Sequence, residues 1–307
     1  MISASAVNEL RQKTGAGMMD CKKALTECGG DFEAASEWLR KKGLAAAAKK
    51  ADRIAAEGVV AADVNGTVGA VIELNSETDF VAKNDKFQAL ANGLIKNYMS
   101  YSGSDIEGFK SSQFAGAGHS VSEEISQSIG TIGENMSLRR GHKIIVSQGC
   151  VVSYIHNAIV PGLGKIAVLV GFETNIDPTK VQALGKQIAM HIAAAKPESL
   201  NVANLDQQLV AKEKAFIRDQ ALASGKPENV VEKMMEGRIA KFYEQVVLLE
   251  QTFVVDGETK ISALLENFGK ENGGSISIKE FVRFGLGEGI EKKETNLADE
   301  VAATLKA

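Results

Sequence analysis

Over the first fifty residues the apolar positions recur at helical spacing. Ala4, Val7 and Leu10 follow one another at i, i+3 behind Ser3, whose hydroxyl suits a helix N-cap. Thr14-Gly15-Ala16-Gly17 breaks the run, and Met18, Cys21, Leu25 and Cys28 mark one face of a second helix. Gly29-Gly30 stops it, because glycine takes the left-handed conformation at a helix end without a Cβ clash. Asp31 opens a third helix carrying Phe32, Ala35 and Leu39, and Arg40-Lys41-Lys42-Gly43 closes it with basic residues and then glycine. Residues 44–56, rich in alanine and lysine, continue as a helical tether.

At Gly58 the period changes from helix to strand. Residues 59–64 and 67–74 flank Asn65-Gly66, the strongest two-residue hairpin signal. Asn75-Ser76-Glu77-Thr78-Asp79 leaves the second strand, and Phe87, Leu90, Ala91 and Leu94 line the buried face of a helix. Residues 100–122, rich in serine and glycine, read as loops. The pattern then recurs. A strand from Gly149-Cys150-Val151-Val152 returns through 165–170 and ends at Glu173-Thr174-Asn175, which echoes Glu77-Thr78-Asp79. Asp177 and Pro178 start a helix with Val181, Leu184, Ile188 and Ile192 inside.

These elements predict an α+β fold with antiparallel sheets. Residues 1–56 form a three-helix domain and tether. Residues 57–141 and 142–286 form the two related α+β halves of a core. The second half carries an αα-hairpin of two long helices over 205–250, joined at Ser224-Gly225-Lys226-Pro227. Residues 275–284 return to strand. Residues 287–307 form a C-terminal helical module with Leu297, Val301 and Leu305 on one face.

Composition narrows the classes. With 44% hydrophobic and 24% charged residues the 307-residue chain is an ordinary globular one. The net charge of -4 gives no overall basic field, which argues against a dedicated DNA or RNA binder. No stretch reaches the roughly 18 apolar residues of a membrane span, and the first residues lack the apolar run of a secretory signal. Three cysteines, Cys21, Cys28 and Cys150, are too few for a disulfide framework and read as small hydrophobes of a cytoplasmic protein.

Catalytic chemistry is sparse. The four histidines form no metal pattern. Gly162-Leu163-Gly164-Lys165 resembles a phosphate loop only in part, lacking the lead and the Ser/Thr after the lysine; a glycine turn between strands is the plainer reading. Thr78-Asp79-Phe80-Val81-Ala82-Lys83-Asn84 is more informative. Phe80 and Val81 fall outside the periodic face begun by Phe87. Phe80 is therefore either a local staple under the next helix or an exposed wedge beside a carboxylate. Met18 and Met19 pose the same choice: one fits the buried stripe, and the other is left for a partner surface.

Several longer motifs carry a family resemblance. Thr14-Gly15-Ala16-Gly17-Met18-Met19-Asp20-Cys21-Lys22-Lys23-Ala24-Leu25 and the Thr78–Asn84 run resemble the two signatures of the bacterial translation elongation factor Ts family. Residues 189–197, Gly225-Lys226-Pro227 with Glu236-Gly237-Arg238, and 287–292 are similar to later family blocks, in order along nearly the whole chain. The resemblance implies a ubiquitin-associated-like N-terminal domain, a two-part α+β core, a helical coiled-coil hairpin and a guanine-nucleotide exchange factor for elongation factor Tu, with no cofactor and no bond-making chemistry. It implies that Thr78, Asp79, Phe80 and Val81 reach beside the partner's magnesium site. It also makes Met18, Met19 and His156 partner contacts. Residues 157–165 are longer than the family's turn, and Phe284-Gly285-Leu286 departs from its pattern. A homodimer or a dimer of heterodimers remains open.

Overall fold

The computed structural model describes residues 2–223 and 227–291. The expected helix around Leu297, Val301 and Leu305, and the Ser224-Gly225-Lys226 connection, lie outside the described residues.

Three helices open the chain: α1 (Ala4–Thr14), α2 (Met18–Glu27) and α3 (Phe32–Ala48). Ser3 caps α1 by accepting from Ala6 N–H, and Asp31 caps α3 by accepting from Ala34 N–H. Val7, Leu10, Cys21, Ala24, Leu25, Ala35 and Leu39 form their small core. Gly43 does not close the third helix, which runs on to Ala48, and beyond it the expected helical tether is turn and extended chain. The reason lies in packing. α3 crosses α6 (Val121–Ile132) so closely that a Cβ on Gly130 would stand 2.8 Å from Gly43 Cα. Gly43 is there for that approach rather than as a stop. Arg40 adds an ion pair to Glu123 of α6 at 2.7 Å.

Each half of the core follows one plan. The first runs β1 (Glu57–Asn65), β2 (Val68–Ser76), α4 (Asp85–Ser100), α5 (Ile106–Ser111), α6 and β3 (Met136–Ile145). The second runs β4 (Gly149–His156), β5 (Leu163–Gly164), β6 (Ile166–Thr174), α7 (Pro178–Ala195), α8 (Gln207–Ala223), α9 (Glu228–Val246), α10 (Ile261–Glu271) and β7 (Ile276–Gly285). The sheets are antiparallel, ordered β3-β2-β1-β5 and β4-β6-β7. β3 crosses the 141/142 division expected between the halves. Val60, Val71 and Ile144 of one sheet pack on Val151, Ala167 and Leu169 of the other. The outer face of the first sheet is covered by α4 and α6, that of the second by α7 and α10. The result is four layers, helix, sheet, sheet, helix, with α8 and α9 inserted as a hairpin between α7 and α10.

Sheet register defines the internal correspondence. Gly58 pairs with Asn75 and Gly149 with Glu173. Each middle strand then slips by one residue against its third strand, between Glu73 and Leu74 in the first half and between Gly171 and Phe172 in the second. Asn75-Ser76-Glu77 therefore corresponds to Glu173-Thr174-Asn175. The sequence echo with Glu77-Thr78-Asp79 is displaced by two residues, since letters repeat there while backbone position does not. The 100–122 loops also contain α5 and lead into α6.

One buried charge fastens the turn after β7 to the first half. Glu73, fully buried, accepts from Arg140 Nε at 2.5 Å, Arg139 Nη1 at 3.3 Å, Asn75 Nδ2 at 3.0 Å and Gly287 N–H at 2.8 Å. A carboxylate removed from water needs such a set to offset its desolvation.

Candidate functional site

The Thr78–Val81 run lies between β2 and α4, and its two ends are fixed. At the strand end, Glu134 accepts twice from one residue: Thr78 N–H at 2.9 Å and the Thr78 hydroxyl at 2.7 Å. Ser76 donates its hydroxyl to Thr78 C=O at 3.0 Å. Glu77 accepts from Asn135 N–H at 2.5 Å and pairs with Arg53 at 3.5 Å. At the helix end, Val81 and Ala82 are buried in the first core within a 3-10 turn, Val81–Lys83. Asn84 then caps α4, accepting from Lys86 N–H at 2.9 Å.

Between these anchors Phe80 is 77% exposed and Asp79 is exposed beside it. Phe80 is therefore not a staple under α4; Val81 occupies the buried place. Of the four residues expected together, Phe80 and Asp79 face solvent, Thr78 is half-buried in its clamp, and Val81 anchors from within the core.

Met18 and Met19 are both exposed, at 58% and 73%. This corrects the expectation that Met18 belongs to the buried stripe. That stripe is Cys21, Ala24 and Leu25, and Met18, in the first turn of α2, stays outside the bundle's core. Lys86 donates to Gly15 C=O at 2.8 Å, which ties the turn before the methionines to the start of α4. The bundle is thus joined directly to α4, the helix that follows the Phe80 segment. His156 stands exposed at the end of β4, its Nδ1 3.0 Å from the Tyr154 hydroxyl. The long 157–165 segment folds back as β5 on β1, with Leu163 fully buried.

That placement answers the phosphate-loop resemblance. Leu163 N–H is bonded to Val160 C=O and Lys165 N–H to His156 C=O, and no helix follows to offer its N-terminus. Among the described residues no group of three or more His, Cys, Asp or Glu is arranged to hold a metal. His191 is buried against Phe253. Its Nε2 meets Gln251 Oε1 at 2.8 Å and its Nδ1 accepts from Val254 N–H at 3.3 Å. Burial pushes its pKa below the usual histidine value. Cys150 is a buried thiol raised by the same cause. Both belong to cores. Among the described residues no helix is long and apolar enough to cross a membrane.

Glu134 is the residue that sequence reasoning does not reach. Its only signal is a carboxylate directly after Gly133, whose φ of +95° ends α6. Nothing local joins it to Thr78, 56 residues away.

The chain is similar, over nearly its whole length, to proteins of one family. The family model described as Elongation factor TS matches residues 77–288. Elongation factor Ts of Rhodospirillum centenum is 56% identical over 302 residues, covering 98% of this chain and 98% of that one. Elongation factor Ts of Rhodospirillum rubrum is 55% identical over 306 residues, 99% of each. Elongation factor Ts of Rickettsia felis is 52% identical over 303 residues, 98% of this chain and 97% of that one.

Proposed function

The chain belongs to the elongation factor Ts family, a family of translation elongation, and from that premise we propose that it is a cytoplasmic guanine-nucleotide exchange factor. It binds GDP-loaded elongation factor Tu, disturbs the partner's magnesium and phosphate site, and releases GDP so that GTP can enter. The observation that supports this reading is an aromatic ring, Phe80, held 77% exposed on a segment anchored at both ends. A core aromatic has no reason to stand there, whereas a wedge needs both the exposure and the rigidity.

No bond chemistry is required of the factor. Magnesium bridges nucleotide phosphate to a GTPase. A protein that binds better when that bridge is disturbed weakens nucleotide binding by the same factor that nucleotide weakens its own. Phe80 enters between elements of the partner and shifts the groups that hold the ion. Asp79 fixes the displaced state by hydrogen bonding or repulsion, and Thr78 and Val81 hold the two beside it. Speeding release ~10⁴-fold lowers the barrier by about 5.5 kcal/mol. Burying one phenylalanine contributes roughly 1.5–3 kcal/mol. Phe80 alone falls short, so Met18 and Met19 of the N-terminal unit, and His156 of the second half, supply the remainder by anchoring the wedge.

The test is stopped-flow release of a fluorescent GDP analogue from purified elongation factor Tu, with and without this protein. Acceleration by the wild type and its loss in Phe80→Ala are expected. No acceleration by the wild type overturns the reading.

A further inference from the structure

We propose that Glu134 is a positioning residue for exchange: its carboxylate, by accepting both donors of Thr78, sets the direction in which Phe80 leaves the body. The proposal rests on the reading of Phe80 given above. Thr78 lies two residues before the ring, so a rotation at its backbone swings Phe80 as a unit. Glu134 holds the Thr78 N–H and hydroxyl at 2.9 and 2.7 Å with one oxygen each, leaving that rotation little freedom. Neighbouring contacts brace the clamp itself. Asn135 N–H goes to Glu77 at 2.5 Å, Asn135 Nδ2 to Arg53 C=O at 2.7 Å, and the Lys50 ammonium to Gly133 C=O.

The second half supplies an internal control. There Asn175 Oδ1 accepts from Ser275 N–H at 2.8 Å, the same contact that Glu77 makes with Asn135. By that register Glu134 corresponds to Gly274 and Thr78 to Ile176. A Cβ on Gly274 would lie 2.5 Å from Asn175 Oδ1 and 2.5 Å from Ile176 Cγ1, and Ile176 is buried. Where the strand end packs inward, the position takes no side chain and the chain enters α7 at once. Where it turns outward to present an exposed aromatic, the position carries a carboxylate that reaches back to hold it. The shared strand-end contact suffices for the fold, so the second contact is specific to the projecting loop.

The experiment compares Phe80→Ala, Glu134→Ala, their double variant, Thr78→Ser and Thr78→Val in GDP release from elongation factor Tu over a range of factor concentrations. Glu134→Ala is expected to lower the maximal release rate about tenfold, with the half-saturating concentration unchanged within about twofold, since the anchoring contacts are intact. The double variant is expected to be no slower than Phe80→Ala alone. Thr78→Ser, which keeps both donors, is expected to retain the rate, and Thr78→Val, which keeps the shape and the backbone N–H but removes the hydroxyl donor, to lose it partly. Should Glu134→Ala fail to fold, the threonine pair decides. Wild-type rates in both Glu134→Ala and Thr78→Val, beside a slow Phe80→Ala, overturn the clamp and leave the wedge standing. Independent multiplicative losses in the double variant overturn it as well. A Phe80→Ala rate equal to wild type overturns the wedge instead.

Discussion

The two halves of the core begin with the same backbone device and leave it differently. β1 enters at Gly58, φ +114°, where a Cβ would lie 2.3 Å from Leu74 C=O; β4 enters at Gly149, φ +128°, where it would lie 2.1 Å from Phe172 C=O. Both middle strands then slip at the equivalent place. After the strand, the second half caps α7 with Asp177, three positions beyond Thr174. The first caps α4 with Asn84, eight positions beyond its counterpart Ser76. The five extra residues are the segment that carries Phe80. The exposed ring is therefore not a defect of packing. The fold has a shorter way to join strand to helix, uses it in one half, and forgoes it in the other.

Substitutions at matched positions test whether the two halves are equivalent. The largest effects are expected at the entering glycines. Gly58→Ala and Gly149→Ala each place a Cβ against a carbonyl at positive φ, and each is expected to lower stability by about 3 kcal/mol or more in urea denaturation. Tolerance of one but not the other breaks the equivalence. Next is the opposed pair Ile176→Ala and Phe80→Ala. The first empties a core site and is expected to cost about 2–5 kcal/mol of stability while leaving GDP release unchanged. The second is expected to slow release about tenfold to a hundredfold, following the burial scale of the ring, at unchanged stability.

A smaller asymmetry concerns pH. His191 lies in the second half's core, and burial holds its folded pKa below the unfolded value. Its contribution is therefore complete at neutral pH and is lost as pH falls from about 6.5 through the lowered folded pKa. Protonation also removes the acceptor for Val254 N–H. Amide exchange at Val254 is expected to rise across that window while amides of the first sheet stay protected. His191→Gln is expected to flatten the change. The smallest effect is expected for Met19→Ala: a loss of affinity of about threefold by calorimetric titration, at unchanged maximal rate and unchanged stability.

Much of the architecture was legible in spacing. Val181, Leu184, Ile188 and Ile192 mark α7 because one face of a helix must be apolar, and all four are buried. Asp31 and Asp177 mark helix starts because an orphan N–H needs an acceptor, although Gly43 misleads by doing a glycine's other work of close approach. β3 is not legible. Arg139-Arg140-Gly141-His142-Lys143 shows no apolar alternation, because Arg139 and Arg140 are committed to Glu73 and His142 to Glu280 across the sheets. α10, for which no helix is expected above, does carry a readable stripe: Ile261, Leu264, Leu265 and Phe268 recur at i, i+3, i+4 and i+7 and pack on the second core. At the site, Phe80 was visible as an aromatic outside the helical period, with staple and wedge both open until its exposure was known. Glu134 was not visible, since a clamp between residues 56 apart is a product of topology.

The glycine contact between α3 and α6 has a consequence for recognition. With backbone resting on backbone at Gly43 and Gly130, no side chain is left there to change rotamer and let the helices slide. α6 ends at Gly133, next to the residue that grips Thr78, and α3 packs with the helix that opens on Met18 and Met19. Under the proposed function, the methionine pair and the ring would act as two pins of one plug, set at a fixed gauge, and a GTPase whose sockets are spaced otherwise would not seat both.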